Sequence, residues 1–334
     1  MRQQHTDLLK ELENTPTPQG PELHLMEIEM GQLDIHIKKM KKNASAGCDG
    51  ISGIILNDIY DSVKRVILHL INLSMCLGIC PKIFKLTKIT PIVKAGKNPL
   101  QMSSYRPVSN LCTIAKLIEC SVMDQVKNHL NNNNYFNKNQ HGSRLNHSTT
   151  TCVLEVLEEN NQAIEKKYLT AITAIDLSAA FDLVDHQVLL EKCRLALVGK
   201  PTLVWLTDFL NDRTQMVNVN GTNSQISPTG NKGVVQGAKS SCELFTIFLN
   251  DLPSQVIGGI PATTPLHSSA KEYIDDLSTI SRGRNLTELK IITVNDLKTI
   301  SIYLENHMMV INNNNEKKCQ AKSRIRRVSD KFQW

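Results

Sequence analysis

The chain has 334 residues, a length that suits two or three subdomains better than one typical domain. It is 41% hydrophobic and 4% aromatic, and its 38 Lys and Arg residues against 32 Asp and Glu residues give a net charge of +6. This composition supplies a sizeable core, while the modest basic excess is compatible with a nucleic-acid partner without requiring one.

Cysteine spacing and hydropathy argue against two further classes of protein. The nine cysteines form no CxxC pair, which argues against a zinc ribbon. The longest apolar run, residues 66–80, is too short and too polar to span a bilayer. The start of the chain lacks the pattern of a signal peptide, so we expect reduced thiols, no membrane contact, and a location in the cytoplasm, the nucleus or both.

In the first half of the chain the sequence predicts several helices, one strand and a basic loop. Apolar periodicity predicts helices over residues 26–42, 59–77, 114–130 and 149–165, and a strand over 86–94. The loop after this strand carries Lys94 and Arg106, and such cations grip phosphate, although a solvated basic loop is the alternative. Two four-residue Asn runs, 131–134 and 312–315, are typical of exposed loop expansions and receive no function.

The second half places polar residues at the ends of predicted strands. The β-rich stretch 168–175 ends at Asp176, where a rigid strand would fix the direction of a metal ligand; a helix N-cap is the alternative. A hairpin is predicted around Asn220-Gly221. The turn over residues 233–237 carries Gln236 and Gly237 and allows close backbone approach to a ligand, or is a simple loop.

Residues 273–276, Tyr-Ile-Asp-Asp, lie between two short apolar runs. This pattern predicts a β-hairpin with Asp275 and Asp276 at its turn. Two carboxylates held close together repel each other, and at neutral pH they stay ionised mainly when a cation lies between them. Carboxylate oxygens suit Mg²⁺, whereas a plain acidic turn is the alternative. A helix over 285–304 and a strand over 308–311 follow.

The order and the residues of these motifs resemble those of reverse transcriptases, in particular the polymerase domain of non-LTR (LINE-type) retrotransposons. The likeness runs from about residue 40 to 320. The matching stretches are residues 89–97, 104–109, 140–144, 174–182, 209–213, 233–237, 273–276 and 315–319.

The resemblance implies an α/β (α+β) right-hand polymerase with fingers and a palm, the palm being an antiparallel sheet backed by helices. It implies that the thumb is largely missing, because the chain ends soon after the lysine-bearing block. The expected organisation is an N-terminal lead or linker over 1–40, fingers over 41–167, a catalytic palm over 168–320 and a basic tail over 321–334.

The resemblance also implies RNA-directed DNA polymerase activity, with RNA template, DNA primer and deoxynucleoside triphosphates as partners. Asp176, Asp275 and Asp276 match the carboxylates that hold two Mg²⁺ ions, with Mn²⁺ as an alternative metal. Lys318, or its neighbour Lys317, matches a proposed proton donor to pyrophosphate. The oligomeric state is not predicted.

Five further matched residues concern the nucleotide. Lys94 and Arg106 match fingers residues that contact the triphosphate. Phe181 matches the position that crowds the sugar 2′ carbon and so excludes a ribose hydroxyl. Gln236 and Gly237 match the turn that packs on the incoming nucleotide and the template.

The chain departs from the family pattern near this turn. Val235 stands where the family has Pro, Ser143 where it has Phe, and residues 239–243 read Lys-Ser-Ser-Cys-Glu in place of a Leu-Gly-Pro run. Two further interpretations therefore stay open: a truncated, catalytically inactive remnant that only binds nucleic acid, and an unrelated metal-free α/β domain.

Overall fold

The structure is a computed structural model that describes residues 20–42, 45–256 and 268–312. Its helices are α1 (Met30–Lys39), α2 (Gly53–Leu77), α3 (Thr113–Asn132), α4 (Thr149–Glu165), α5 (Ala180–Leu183), α6 (His186–Leu195), α7 (Lys200–Leu210), α8 (Lys239–Leu249), α9 (Leu252–Gln255) and α10 (Leu286–Asn306). Its strands are β1 (Leu86–Val93), β2 (Tyr105–Asn110), β3 (Leu169–Ile175), β4 (Leu177–Ser178), β5 (Thr214–Val219), β6 (Thr222–Asn223), β7 (Ser227–Pro228), β8 (Ser269–Tyr273), β9 (Asp276–Gly283) and β10 (Val310–Ile311). The predicted Lys317, Lys318 and the basic tail lie outside the described residues.

These elements confirm the predicted helices and strands, the largest shifts being at two helix starts. Helix α1 begins at Met30 instead of residue 26. Helix α2 begins at Gly53 instead of residue 59, because the Ser52 hydroxyl accepts a hydrogen bond from the Ile55 N–H at 3.3 Å and caps the helix there. It ends at Gly78, whose φ of +65° gives the left-handed cap that glycine adopts without strain.

The chain divides into two compact units that alternate along the sequence. One comprises the described residues up to Phe136 together with Ala179–Phe248, and the other comprises Asn137–Ser178 together with the described residues from Leu249 onward. The predicted division into fingers and palm stays a prediction, because compactness groups residues by packing and not by role.

The first unit contains a five-stranded mixed sheet. The strand order is β2-β1-β5-β6, and β7 also pairs with β5. Strand β1 runs antiparallel to β2 and parallel to β5. The predicted hairpin is confirmed between β5 and β6, where Asn220 and Gly221 have φ of +50° and +86°, as a two-residue turn of type I′ requires. Trp205, Phe245 and Phe248 are the largest fully buried side chains of this unit.

The second unit contains the antiparallel sheet on which the predicted aspartates lie. Its strand order is β3-β9-β8, and both pairings are antiparallel. Helices α4 and α10 pack against it, which confirms the predicted antiparallel sheet backed by helices. A separate two-stranded ladder joins β4 to β10.

Two further expectations concern cysteines and membranes. The eight cysteines that lie within the described ranges are all free thiols. Among the helices of these ranges, none is long and apolar enough to cross a membrane.

Candidate active site

The three predicted aspartates lie at one end of the β3-β9-β8 sheet. Strand β3 ends with Ile175 opposite Leu277, so the same register, continued by one residue, places Asp176 opposite Asp276. The hairpin of β8 and β9 closes at this end, and Asp275 lies in its two-residue turn. The predicted hairpin is therefore confirmed, with Asp275 in its turn and Asp276 as the first residue of β9. The interpretation of Asp176 as a helix N-cap is wrong, because β4 and not a helix follows it.

The turn that carries Asp275 is strained. Ile274, the first turn residue, has a φ of +60°, a conformation that a β-branched residue rarely adopts. A Cβ atom on Gly142 would lie 2.6 Å from the Ile274 backbone nitrogen, so only glycine lets the segment of Gly142 pack against the turn. Such strain persists only where neighbouring structure holds it in place. Here the neighbour is the 139–142 segment.

This segment is bonded along the edge strand of the sheet. The His141 N–H donates to the Glu272 carbonyl at 2.7 Å, and the Glu272 N–H donates to the Asn139 carbonyl at 3.0 Å. The Gln140 amide donates to the Glu272 carboxylate at 2.7 Å, with both side chains buried. The sequence assigned no role to residues 140–144, although they matched a family block. The structure shows that they clamp the strand leading into Asp275.

An ion-pair network centred on the buried Lys271 fixes the same strand from the side of α4. The Lys271 ammonium, whose side chain is 5% exposed, lies 2.7 Å from Glu155 and 2.9 Å from Glu159. Arg282 on β9 also contacts Glu159, at 2.5 Å. Burial alone would lower the pKa of Lys271, but its hydrogen bonds to Glu155 and Glu159 raise that pKa above the ordinary value. The charges therefore hold β8, β9 and α4 together.

The carboxylates at the aspartate end of the sheet repel one another. Burial raises the pKa of Asp275, and the charges of Asp276 and Asp176 raise it further, while a backbone hydrogen bond opposes them. Carboxylates that repel one another in this way are stabilised in their ionised form by a bound cation.

The donor chemistry of this end fits a hard cation such as Mg²⁺. The three side chains offer only carboxylate oxygens, the ligand type that Mg²⁺ prefers. Within the part of the chain that the structure describes, no group of three or more His, Cys, Asp or Glu side chains is arranged to hold a metal ion. A cation at Asp176 and Asp275 therefore needs additional ligands, and in Mg²⁺ sites water and substrate phosphates provide them.

A second predicted group lies in the first unit, where the segment around Phe181 is joined to the predicted Gln-Gly turn. The Gly233 N–H donates to the Val184 carbonyl and the Val234 N–H to the Phe181 carbonyl, both at 2.8 Å. Gly233 has a φ of +89°, and a Cβ atom there would lie 3.1 Å from the Asp182 carbonyl oxygen. Glycine at position 233 therefore permits both the turn and its contact.

The side chains of this group are also coupled. The ring of Phe181 stacks on the fully buried ring of Phe245, with centroids 5.0 Å apart and planes at 27°. The Gln236 amide donates to the Asp182 carboxylate at 3.1 Å. Burial raises the pKa of Asp182, and the bond from Gln236 lowers it in part. Gly237, at a φ of +91°, turns the chain into α8.

A cavity of about 340 Å³ lies beside this group, within the first unit. Asp182, Gln236 and the buried Arg213 line it, together with residues of β1, β2 and β5. Burial lowers the pKa of Arg213, which the charges of Cys80 and Glu119 partly offset. The structure thus brings Asp182 and Gln236 together at one concave surface.

Lys94 and Arg106 lie on the β1–β2 hairpin. Arg106 is exposed and pairs with Ile92, and the Lys94 ammonium donates to the Ser103 carbonyl at 3.0 Å. Successive residues of a strand face opposite sides and residues two apart face the same side, so Ile92, its partner Arg106 and Lys94 share one face of the hairpin. Neither cation lines the cavity. The structure therefore groups the two cations with each other and not with Gln236.

Comparison with known proteins shows what the chain is similar to. The sequence model of the reverse transcriptase (RNA-dependent DNA polymerase) family matches residues 92–333. The chain is 27% identical over 270 residues to the RNA-directed DNA polymerase from mobile element jockey of Drosophila melanogaster, covering 79% of this chain and 28% of that protein. It is 28% identical over 270 residues to the probable RNA-directed DNA polymerase from transposon BS of the same species, covering 80% of this chain and 29% of that protein. The chain thus spans less than a third of the length of these relatives.

A solved structure resembles the fold. The apo telomerase from Candida tropicalis, truncated from its C-terminal domain, matches with a TM-score of 0.51 and 15% identity, over 79% of this chain and 55% of that chain. At this identity the likeness concerns the fold alone, and it confirms the predicted α/β fold.

Proposed function

The chain belongs to the reverse transcriptase (RNA-dependent DNA polymerase) family, and from this premise we propose that it is the RNA-directed DNA polymerase of a non-LTR retrotransposon. Its partners in this proposal are an RNA template, a DNA primer and deoxynucleoside triphosphates, and its compartments are the cytoplasm and the nucleus. The observation that carries the proposal is the convergence of Asp176, Asp275 and Asp276 at one end of an antiparallel sheet.

In this proposal the aspartates hold two Mg²⁺ ions, or Mn²⁺ in their place. The bound metal would supply positive charge against the negative charge that develops on the transferred phosphoryl group. The chain's own contribution is placement. Asp176 stands at the end of a paired strand and Asp275 in a clamped turn, so both carboxylates keep their directions without the reorganisation that flexible loops would require.

Residues of the first unit have proposed roles toward the nucleotide. Phe181 would exclude a ribose 2′-hydroxyl, and its stacking on Phe245 supports a fixed ring position. Gln236 and Gly237 would contact the nucleotide and the template, while Lys94 and Arg106 would bind the triphosphate. The division into fingers over 41–167 and palm over 168–320 belongs to the same proposal.

A second candidate function is a catalytically inactive chain that only binds nucleic acid. The departures at residues 239–243 favour it, because they follow the Gln-Gly turn directly. Lys239 pairs with Asp124, and the Ser240 N–H donates to the buried Glu119 carboxylate. These polar residues therefore have partners within the fold, which supports a folded segment but not an active one.

Primer extension on an RNA template with Mg²⁺ separates the two functions. We expect the 334-residue chain to extend the primer, and Asp275→Asn to lower the rate by at least about 100-fold, as losses of single transition-state stabilisers do. Asp58→Asn, which changes an exposed carboxylate on α2, is the matched control and should keep the rate. Extension that persists in Asp275→Asn would refute the metal-site assignment. Template binding without any extension would favour the inactive alternative.

A further inference from the structure

One side chain outside the predicted motifs bonds directly to a predicted metal ligand. Asn312 follows β10, which pairs antiparallel with β4 so that Ile311 lies opposite Leu177. Continued by one residue, this register places Asn312 opposite Asp176. The Asn312 N–H donates to the Asp176 carbonyl at 2.8 Å, which shows that the pairing extends to this position.

The side chains of the two residues are bonded as well. Directly opposed residues of an antiparallel pair present their side chains on the same face. The Asn312 amide accordingly donates to the Asp176 carboxylate, with Nδ2 and Oδ2 3.1 Å apart. The amide orients the carboxylate without adding a positive charge that would compete with a bound cation.

The position of Asn312 is set by the end of α10. Met308, at a φ of +56°, turns the chain away from the helix. The Met309 N–H donates to the Leu304 carbonyl at 2.8 Å, and the Met309 side chain is 4% exposed. A shift of the ladder by one residue would expose this anchor and turn Asn312 to the other face. The bond to Asp176 is therefore part of the fold.

We propose that Asn312 is a positioning residue for Asp176, which holds the carboxylate in the direction that a divalent cation requires. The proposal rests on the proposed function, since it takes Asp176 to be a metal ligand. Carboxylates that bind metals are themselves hydrogen-bonded, and the loss of such an outer bond typically lowers metal affinity or activity by about 10–100-fold. The expectation that the 312–315 run is an exposed loop expansion is wrong for Asn312, which is half-buried and bonded.

The test measures Mn²⁺ binding to the full chain by the loss of the free-ion EPR signal. The variants are Asn312→Leu, which has a similar shape without a donor, and Asn312→Ala. Both keep the backbone N–H and with it the bond to the Asp176 carbonyl. The control is Asn285→Ala, which removes the side-chain cap of α10, where Asn285 accepts from the Glu288 N–H at 2.9 Å. This control destabilises the same unit without touching the aspartates.

We expect both Asn312 variants to raise the Mn²⁺ dissociation constant at least about tenfold, and to shift the Mg²⁺ concentration for half-maximal primer extension in the same direction. Asn285→Ala should leave both values unchanged at a comparable thermal midpoint. A dissociation constant within about twofold of the original in Asn312→Leu, while Asp176→Asn abolishes binding, would overturn this inference alone. Binding that Asp176→Asn leaves intact would instead overturn the metal site of the proposed function.

Discussion

Replacement of Glu243 by Gln should change how the stability of the first unit depends on pH. Glu243 lies on α8, and its side chain is 7% exposed. Burial raises its pKa from 4.5 to about 7, an effect that the charge of Lys127, 4.0 Å away, offsets in part. The folded chain therefore keeps the proton up to near-neutral pH, whereas the unfolded chain releases it near its ordinary pKa.

The sign follows from the protons bound in each state. Between pH 4.5 and about 7 the folded chain binds more protons at Glu243 than the unfolded chain, so its contribution to stability is present below this window and is lost as the pH rises through it. A difference of about 2.5 between the two pKa values, at about 1.4 kcal/mol for each unit, amounts to a loss of about 3 kcal/mol. Glutamine does not titrate, so Glu243→Gln escapes this loss.

Urea unfolding measures this effect if the signal reports on the first unit alone. Trp205 is fully buried there, and a Trp334→Phe background removes the only other tryptophan. The free energy of unfolding of Glu243→Gln minus that of the background should rise by about 2–3 kcal/mol from pH 5 to pH 8, because part of the full change falls below pH 5. The exposed Glu27→Gln serves as the control and should show no such rise. If the Glu243 difference stays constant within about 0.5 kcal/mol, a raised pKa at this position is refuted.

Three further substitutions test the contacts around the aspartates and the nucleotide. Gly142→Ala places a Cβ atom 2.6 Å from the Ile274 nitrogen, so the turn must shift, and primer extension should slow by about 100-fold. Phe181→Val should lower the preference for deoxynucleotides over ribonucleotides, as the ratio of kcat/KM values, by at least about tenfold. Lys271→Met should lower the free energy of unfolding by about 3 kcal/mol, the lower end for a buried ion pair because its partner Glu155 is 42% exposed.

Each of these has its own control. The control for Gly142→Ala is Gly31→Ala on α1, where no atom lies within 4 Å of the added Cβ, so primer extension should not slow. Equal extension rates for the two variants would contradict the proposed effect of the Gly142 segment on the turn of Ile274. For Phe181→Val the rate with deoxynucleotides is the internal reference, and an unchanged ratio would exclude the ring as a sugar gate. The control for Lys271→Met is Lys298→Met, at an exposed position of α10, which should lower the free energy of unfolding only slightly. An equally small decrease for Lys271→Met would show that the ion pairs do not contribute to stability.

Much of the aspartate site follows from local sequence. The strand before Asp176 and the hairpin at Asp275 were predictable because alternation, strand length and turn position are encoded within about ten residues. The start of α2 at Gly53 was not predictable from the sequence. The capping Ser52 precedes a glycine, which is a poor helix former, and the apolar periodicity begins later.

The contacts that support the aspartates could not be predicted from local sequence, because they join residues that are far apart in the chain. The left-handed φ of Ile274 has no signal in the residue itself and depends on the segment of Gly142, 132 positions earlier in the chain. The role of Asn312 could not be predicted, because in a run of four asparagines the sequence does not distinguish one residue from the others. Only the register of β4 with β10 identifies the asparagine that bonds to Asp176.

The alternation of the two units along the chain restricts how the protein can be divided. A fragment that ends at residue 248 contains all of the first unit's segments, yet it also carries β3 without β8 and β9. Unpaired strand edges of this kind promote aggregation. A fragment that starts at residue 249 has the opposite defect, since it lacks the strand that leads to Asp176. Division of the chain at any point between residues 137 and 248 therefore places segments of at least one unit on different fragments.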